Sequence, residues 1–151
     1  MVTDLVSLLA AVPIFRRLES EDRRRIAAVS TLREVEKGDE IFSEGEPADA
    51  FYAVISGRVK VIKSTPAGKE IILEIFGPGD PLGAVVAYEG RPFPATARAL
   101  EATCCLVTPR QAFFALLAEH PTLVRGLLSG LTMRLIELTN RLADLSGARV
   151  E

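Results

Sequence analysis

The sequence predicts a mainly β domain, an antiparallel sandwich or barrel such as a jelly roll, flanked by helices and followed by one long helix. Three features carry that expectation. From Thr31 to Thr108 the apolar pattern has a period of two and breaks into short segments near 32–35, 40–42, 51–55, 58–63, 69–76, 95–100 and 103–108. Turn signals separate these segments: Lys37-Gly38-Asp39, Gly45-Glu46-Pro47, Ser56-Gly57, Thr65-Pro66-Ala67-Gly68 and Gly77-Pro78-Gly79-Asp80. From Pro121 to Gly147 the period lengthens, and Val124, Leu128, Leu131, Leu135, Leu138, Leu142 and Leu145 recur at alternating gaps of four and three, the a/d seam of a coiled coil.

The chain has 151 residues, enough for one domain that buries roughly 68–70% of its unfolded surface. A net charge of −2 argues against a dedicated nucleic-acid or acidic-membrane surface within it. No run approaches the roughly 20 apolar residues of a membrane span. Residues 5–15 are apolar, but Asp4 precedes them and no Lys or Arg does, unlike a signal peptide. Cys104 and Cys105 are adjacent and are the only cysteines, which is no disulfide framework. On a strand they would point to opposite faces as inert structural thiols. These features fit a reducing cytoplasm.

Taken in order, residues 3–10 read as a short amphipathic helix capped by Thr3 or Asp4. Pro13 interrupts it, and Ile14, Phe15 and Leu18 offer a cluster to the core. Ser20 is expected to cap a second helix with Glu21 and Asp22 in its first turn. Arg23 to Arg25 then form a solvated face, the intervening acids weakening a phosphate-binding role. In the β region Ser56-Gly57 has the length of a two-residue hairpin loop. Ile71, Leu73 and Ile75 alternate with Glu70 and Glu74, giving that strand an inward and an outward face.

One interval breaks the ladder. Residues 83–88, Gly-Ala-Val-Val-Ala-Tyr, are read as a short helix inside the roll with Gly83 at its N-terminus, a place suited to an anion. Arg91-Pro92-Phe93-Pro94 follows, whose two prolines cannot donate to a sheet ladder. Ala95, Ala97 and Ala99 then share one face; they either leave room for a ligand or allow a neighbouring element to pack closely. Pro109 takes the favoured first position of another helix. His120, the only histidine, sits at that helix's end before Pro121; the alternative role is an axial haem ligand.

The last helix would be about 40 Å long. Burying each leucine is worth roughly 1.5–3 kcal/mol, so the seam is expected to face a twin helix in a homodimer, flanked by Arg134 and Arg141 at g and by Thr132, Thr139 and Ser146 at e. Leu123, Leu127 and Ile136 are off the seam and would hold the helix to its own domain. The alternative is a helix packed wholly on its own chain.

Several motifs together carry a family likeness. Glu44-Gly45-Glu46-Pro47-Ala48-Asp49-Ala50-Phe51-Tyr52, Ser56-Gly57-Arg58-Val59-Lys60-Val61, Gly68-Lys69-Glu70, Pro78-Gly79-Asp80, Pro94-Ala95-Thr96 and the leucine-rich helix resemble the cyclic-nucleotide-binding effector domain of the Crp/Fnr transcriptional regulators. The resemblance implies N-terminal helices over 1–30 and a double-stranded β-helix or jelly roll over 31–108 with a phosphate-binding cassette at 77–96. It also implies C-terminal helices over 109–151 that include a dimerisation helix at 121–147. In that family the long helix relays effector binding to a following helix-turn-helix that reads DNA.

The chain departs from the cAMP-binding pattern. Where cAMP binders carry a Glu for the ribose after the glycine matching Gly83, this sequence has Ala84; where they carry an Arg and a Ser or Thr for the cyclic phosphate, it has Phe93 and Pro94. A unit charge pair near 4 Å is worth about 4 kcal/mol at an effective dielectric of 20, roughly three decades of affinity. Arg91 is the one nearby substitute. cAMP is therefore disfavoured, and the effector is unassigned; the Phe93-Pro94-Ala95-Thr96 run resembles a branch answering to nitric oxide or other non-nucleotide signals. The cysteine cluster of iron–sulfur relatives is absent. Candidate ligand contacts are Gly83, Ala84, Val85, Arg91, Phe93, Pro94, Ala95 and Thr96, with Leu138 and Thr139 at the level where relatives touch ligand from the long helix. Ala148-Arg149-Val150-Glu151 offers no recognition helix, so an excised sensor domain is expected rather than a stand-alone homologue, with DNA reached only through a domain outside this chain.

The leading expectation is thus a dimeric sensor for a small molecule other than cAMP. A ligand-free dimerisation scaffold, in which Phe93 fills the cassette, and a stand-alone cyclic-nucleotide-binding protein are the alternatives. No metal-ligand spacing, catalytic triad or carboxylate pair points to an enzyme.

Overall fold

A computed structural model describes residues 2–146, with side chains from Leu5 to Leu145. The first helix begins at Val2, so Thr3 and Asp4 lie inside it and not at its cap; the Ser146 side chain, expected as a seam neighbour, and the residues from Gly147 to Glu151 lie outside what is described. The chain opens with α1 (Val2–Ala11), a 3-10 turn (Pro13–Phe15) and α2 (Ser20–Val29). It continues through β1 (Thr31–Val35), β2 (Glu40–Phe42), β3 (Ala50–Ser56), β4 (Val59–Ser64), β5 (Glu70–Phe76) and β6 (Pro81–Leu82). After α3 (Ala84–Glu89) come β7 (Thr96–Ala99), β8 (Thr103–Pro109), α4 (Arg110–Glu119) and α5 (Pro121–Ser146). The strands form two four-stranded sheets, ordered β1-β8-β3-β6 and β2-β7-β4-β5, with every pairing antiparallel. This is the anticipated mainly β roll with flanking helices and a long terminal helix.

Alternation along β3 and β8 builds two cores from one sheet. Val54 and Cys105 face into the roll with Ile41, Phe42, Val59, Leu82 and Ala97. Ala53 and Leu106 face outward, against Leu9, Phe15, Leu18, Ile26 and Leu123 of the helices. Ala95, Ala97 and Ala99 all point inward and are buried.

Four further local expectations are corrected. Ser56-Gly57 is no hairpin, because β3 and β4 belong to different sheets; it is a corner. Gly57 has φ +94°, and a Cβ there would lie 2.6 Å from the Ala102 carbonyl oxygen and 2.7 Å from Thr103 Cα, so only glycine lets the corner pass the β7–β8 turn. Ser20 is the first helical residue and not the cap; its hydroxyl accepts a bond from Arg23 instead. Pro109 occupies the cap position just before α4, one place earlier than expected. β5 has no inward face: Ile71, Ile72, Leu73 and Ile75 are all about half exposed, since β5 is an edge strand whose register with β4 shifts between Val61 and Ile62.

The 3-10 turn seats α5 on the domain. Gly130 faces the Ile14 backbone with no room for a side chain, and Gly126, one turn earlier, packs most tightly on the end of the Leu18 side chain. Leu123 is fully buried and Leu127 half buried beside them. Ile136, expected to join them, is 46% exposed. Arg134 turns back to its own domain, where it donates to Asp80 Oδ1 at 2.9 Å and pairs with Glu137; the Asp80 hydrogen bond holds its guanidinium above the ordinary value. Of the seam, Val124 is half buried against its own domain. Leu128, Leu131, Leu135, Leu138, Leu142 and Leu145 stay 39–80% exposed.

Candidate functional site

Residues of β2, β4 and β5, together with α3 and the segment at 93–95, line a cavity of about 400 Å³ in the roll. Its position follows from local sequence. Gly83, with φ +63°, ends the short β6 and turns the chain into α3. Gly90, also left-handed, ends that six-residue helix. Pro92 and Pro94 keep the next segment out of the ladder, leaving only Pro47–Pro92 bridging and the Phe93 amide and carbonyl bonded to Glu46 and Gly45 at 3.0 and 2.8 Å. That strap points the Phe93 ring inward.

Phe93 is 3% exposed and stacks on Phe42, with ring centroids 3.7 Å apart and planes 6° from parallel. Tyr52 meets it edge-on at 6.3 Å. A Cβ on Gly83 would lie 2.8 Å from the Phe93 ring, so glycine also makes space for the stack. The stack occupies the cavity's base. Among the lining residues Glu74 alone carries charge. Two cations close in sequence to lining residues are engaged elsewhere: Lys63 with Glu44 at 3.2 Å and the Pro94 carbonyl at 2.9 Å, and Arg91 with Glu89 at 2.7 Å. An anion placed here would lose hydration and meet a carboxylate with no cation in return.

Six of the expected contacts line this cavity: Gly83, Ala84, Val85, Phe93, Pro94 and Ala95. Four do not. Arg91 is exposed and paired outside. Thr96 faces the other way and accepts the Glu44 amide. Leu138 is 39% exposed, and Thr139 donates back to the Leu135 carbonyl; neither reaches the cavity of its own chain. Phe42, Val61, Leu73, Glu74, Phe76, Pro81 and Val86 complete the lining. The alternating apolar pattern marked them as strand or core residues but held nothing that separates a cavity wall from a filled core. His120 ends α4, its amide bonded to Leu116, and lines no cavity described here.

The cassette helix is fastened to the C-terminal helices through Arg110. This guanidinium donates to the Ala87 and Tyr88 carbonyls at 2.5 and 3.1 Å, satisfying the open end of α3. It also lies 4.8 Å from the Phe114 ring centroid. Arg110 thus ties α3 to α4, and the Arg134–Asp80 pair joins α5 to the loop that opens the cassette. Among the described residues no helix is long and apolar enough to cross a membrane.

Comparison with known proteins gives the same picture. The family model described as the cyclic nucleotide-binding domain matches residues 32–120. The "CRP-like cAMP-activated global transcriptional regulator" of Mycobacterium tuberculosis is 34% identical over 141 residues, covering 91% of this chain and 62% of that protein. The chain thus spans somewhat under two thirds of that relative's length. Among solved structures, the sensor domain of the transcriptional regulator DNR from Pseudomonas aeruginosa has a TM-score of 0.71 at 30% identity, covering 92% of this chain and 93% of that one. The N-terminal domain of a transcriptional regulator from Streptomyces coelicolor has a TM-score of 0.69 at 27% identity, covering 89% and 94% respectively. With more than half its length inside the family model and a 34% identical relative over 91% of its length, the chain belongs to the cyclic nucleotide-binding domain family, in the form found in CRP-like transcriptional regulators.

Proposed function

We propose that this chain is the effector domain of a dimeric, cytoplasmic transcription regulator whose roll cavity takes an uncharged small molecule in place of cAMP. The observation that carries the proposal is the cavity lining: Phe93 lies stacked on Phe42 where cAMP-binding relatives present an arginine, and Glu74 is the lone charge. Such a lining favours an apolar or aromatic effector by burial and stacking. The exposed row from Leu128 to Leu145 supports pairing with a second copy. Binding beside α3 would shift Arg110 and α4, and with them the paired α5 helices, biasing a DNA reader between two arrangements. Calorimetry with cAMP and cGMP is the test. Neither should bind at low micromolar concentration; binding of either would return the domain to nucleotide sensing.

The ligand-free scaffold remains a second reading because the Phe93–Phe42 stack already fills the base of the cassette. It predicts native mass spectra of freshly purified protein with no added mass. A retained small molecule would decide for the sensor. Sedimentation velocity tests the pairing: a single subunit at working concentration would remove α5 as the relay.

A further inference from the structure

We propose that a second cavity, lying against the face of the β1-β8-β3-β6 sheet that carries Ala53 and Leu106, is a separate binding site for an uncharged, largely hydrocarbon small molecule. This proposal goes beyond the effector reading above and does not depend on it. The cavity measures about 410 Å³ and is bounded by the 3-10 turn, β3, β8, α3, α4 and α5, within the usual size for small-molecule sites. Its floor is core: Ile14, Phe15, Ile26, Ala53 and Leu106 are only 1–6% exposed. Leu117 of α4 and Val124 and Leu127 of α5 form the opposite wall.

No charged side chain lines it, and Tyr52, Tyr88 and Thr108 are the lining residues that carry hydroxyls. The Thr108 hydroxyl is already bonded to Ser30 at 2.7 Å. A charged ligand would lose its hydration there without compensation. An apolar one gains burial against the floor and walls, with Tyr88, Leu128 and Leu131 at the open mouth. The floor also argues for a small molecule over a protein partner. A helix is about 10–12 Å across and cannot follow a space whose deepest residues are this closed, whereas the exposed leucines farther along α5 offer it an open row. Pro81 and Ala84 line both this cavity and the one in the roll. An occupant here therefore presses on the same start of α3 that the roll cavity touches.

N-phenyl-1-naphthylamine, an uncharged fluorophore, titrated into the whole chain provides the test. The expected result is saturable binding of about one molecule per chain with blue-shifted emission. Leu117→Trp places an indole in the cavity and should weaken binding at least tenfold; Val124→Phe, from the opposite wall, should do the same should the first variant fail to fold by circular dichroism. Ala95→Phe, which fills the roll cavity, and Leu142→Glu, on the exposed row, should leave the affinity within about twofold. Three outcomes would overturn the proposal: no saturable binding, unchanged affinity in a folded wall variant, or loss of binding in Ala95→Phe or Leu142→Glu. The last would place the probe in the roll or on the leucine row.

Discussion

Replacing Gly130 by alanine tests how α5 is held. In an open helix interior that change gains about 1 kcal/mol. Here the new Cβ would lie 2.3 Å from the Ile14 carbonyl oxygen, 2.9 Å from its carbon and 3.2 Å from its Cα. The first distance falls about 1 Å short of the 3.4 Å where ordinary contact begins. The obstructing atoms are backbone, in a turn fixed by the Phe15 amide on Val12 at 2.9 Å and the Arg16 amide on Pro13 at 3.3 Å, so they cannot swing aside. Overpacking of this kind costs about 1–3 kcal/mol and occasionally more, and this contact belongs at the upper end. After the helical gain is subtracted, a net loss of about 2 kcal/mol remains, or about 4–8 °C in Tm for a chain of this size. Gly126→Ala is the control, because its tightest contact is the end of the Leu18 side chain at 2.6 Å, which can turn away; its expected change is under about 1 kcal/mol. Thermal and urea unfolding of both variants measure this. A Gly130→Ala protein as stable as the parent would refute the account of α5 seated on the 3-10 turn.

Three further expectations follow from the same coordinates. Phe93→Ala removes a ring that is 3% exposed and should cost about 3–5 kcal/mol in urea unfolding; an unchanged midpoint would show that the stack is not part of the core. Arg134 and Asp80 are 15% and 22% exposed along the side chain, so a double-mutant cycle through Arg134→Ala and Asp80→Ala should give a coupling above 1 kcal/mol, within the roughly 0.5–3 kcal/mol of contacting pairs, and a value near zero would remove the α5-to-cassette link. Burial pushes the Cys105 thiol from its ordinary 9.0 up to about 12, so native protein should resist alkylation at pH 8. The fold keeps that proton while the unfolded chain releases it, so stability should fall between pH 9 and 12, by up to about 4 kcal/mol for three units. Cys105→Ala should lack this part of the slope, and identical slopes would refute the assignment.

The order and kind of almost every element were legible in the chain because they depend on local rules. Period-two alternation and Gly/Pro punctuation placed seven of the eight strands; the two-residue β6 is too short to leave a periodic trace. Gly83 and the two prolines marked the cassette because they act on their own backbone. The misread features share a cause: each depends on a partner distant in sequence. Ser56-Gly57 looked like a hairpin because only the sheet order reveals that its flanking strands pair elsewhere. Arg134 looked like a seam neighbour because Asp80, 54 residues earlier, is not visible to a heptad. Thr96 and Arg91 were grouped with Phe93 by proximity in sequence, yet alternation sends Thr96 outward and Glu89 holds Arg91 outside.

Gly126 and Gly130 show the division most clearly. A heptad reading passes over glycines as weak helix formers, and nothing local states that they are needed. Their role exists only when Leu18 arrives against Gly126 and the Ile14 backbone against Gly130. The sequence alone determined a β-roll between helices, a glycine- and proline-marked interval at 83–94, and a long helix with a leucine row, since periodicity, turn chemistry and residue identity are properties of neighbours. Which leucines remain uncovered, where Phe93 comes to rest, and which side chains border a cavity were decided by tertiary structure, because exposure and enclosure are set by packing between segments that share no sequence proximity.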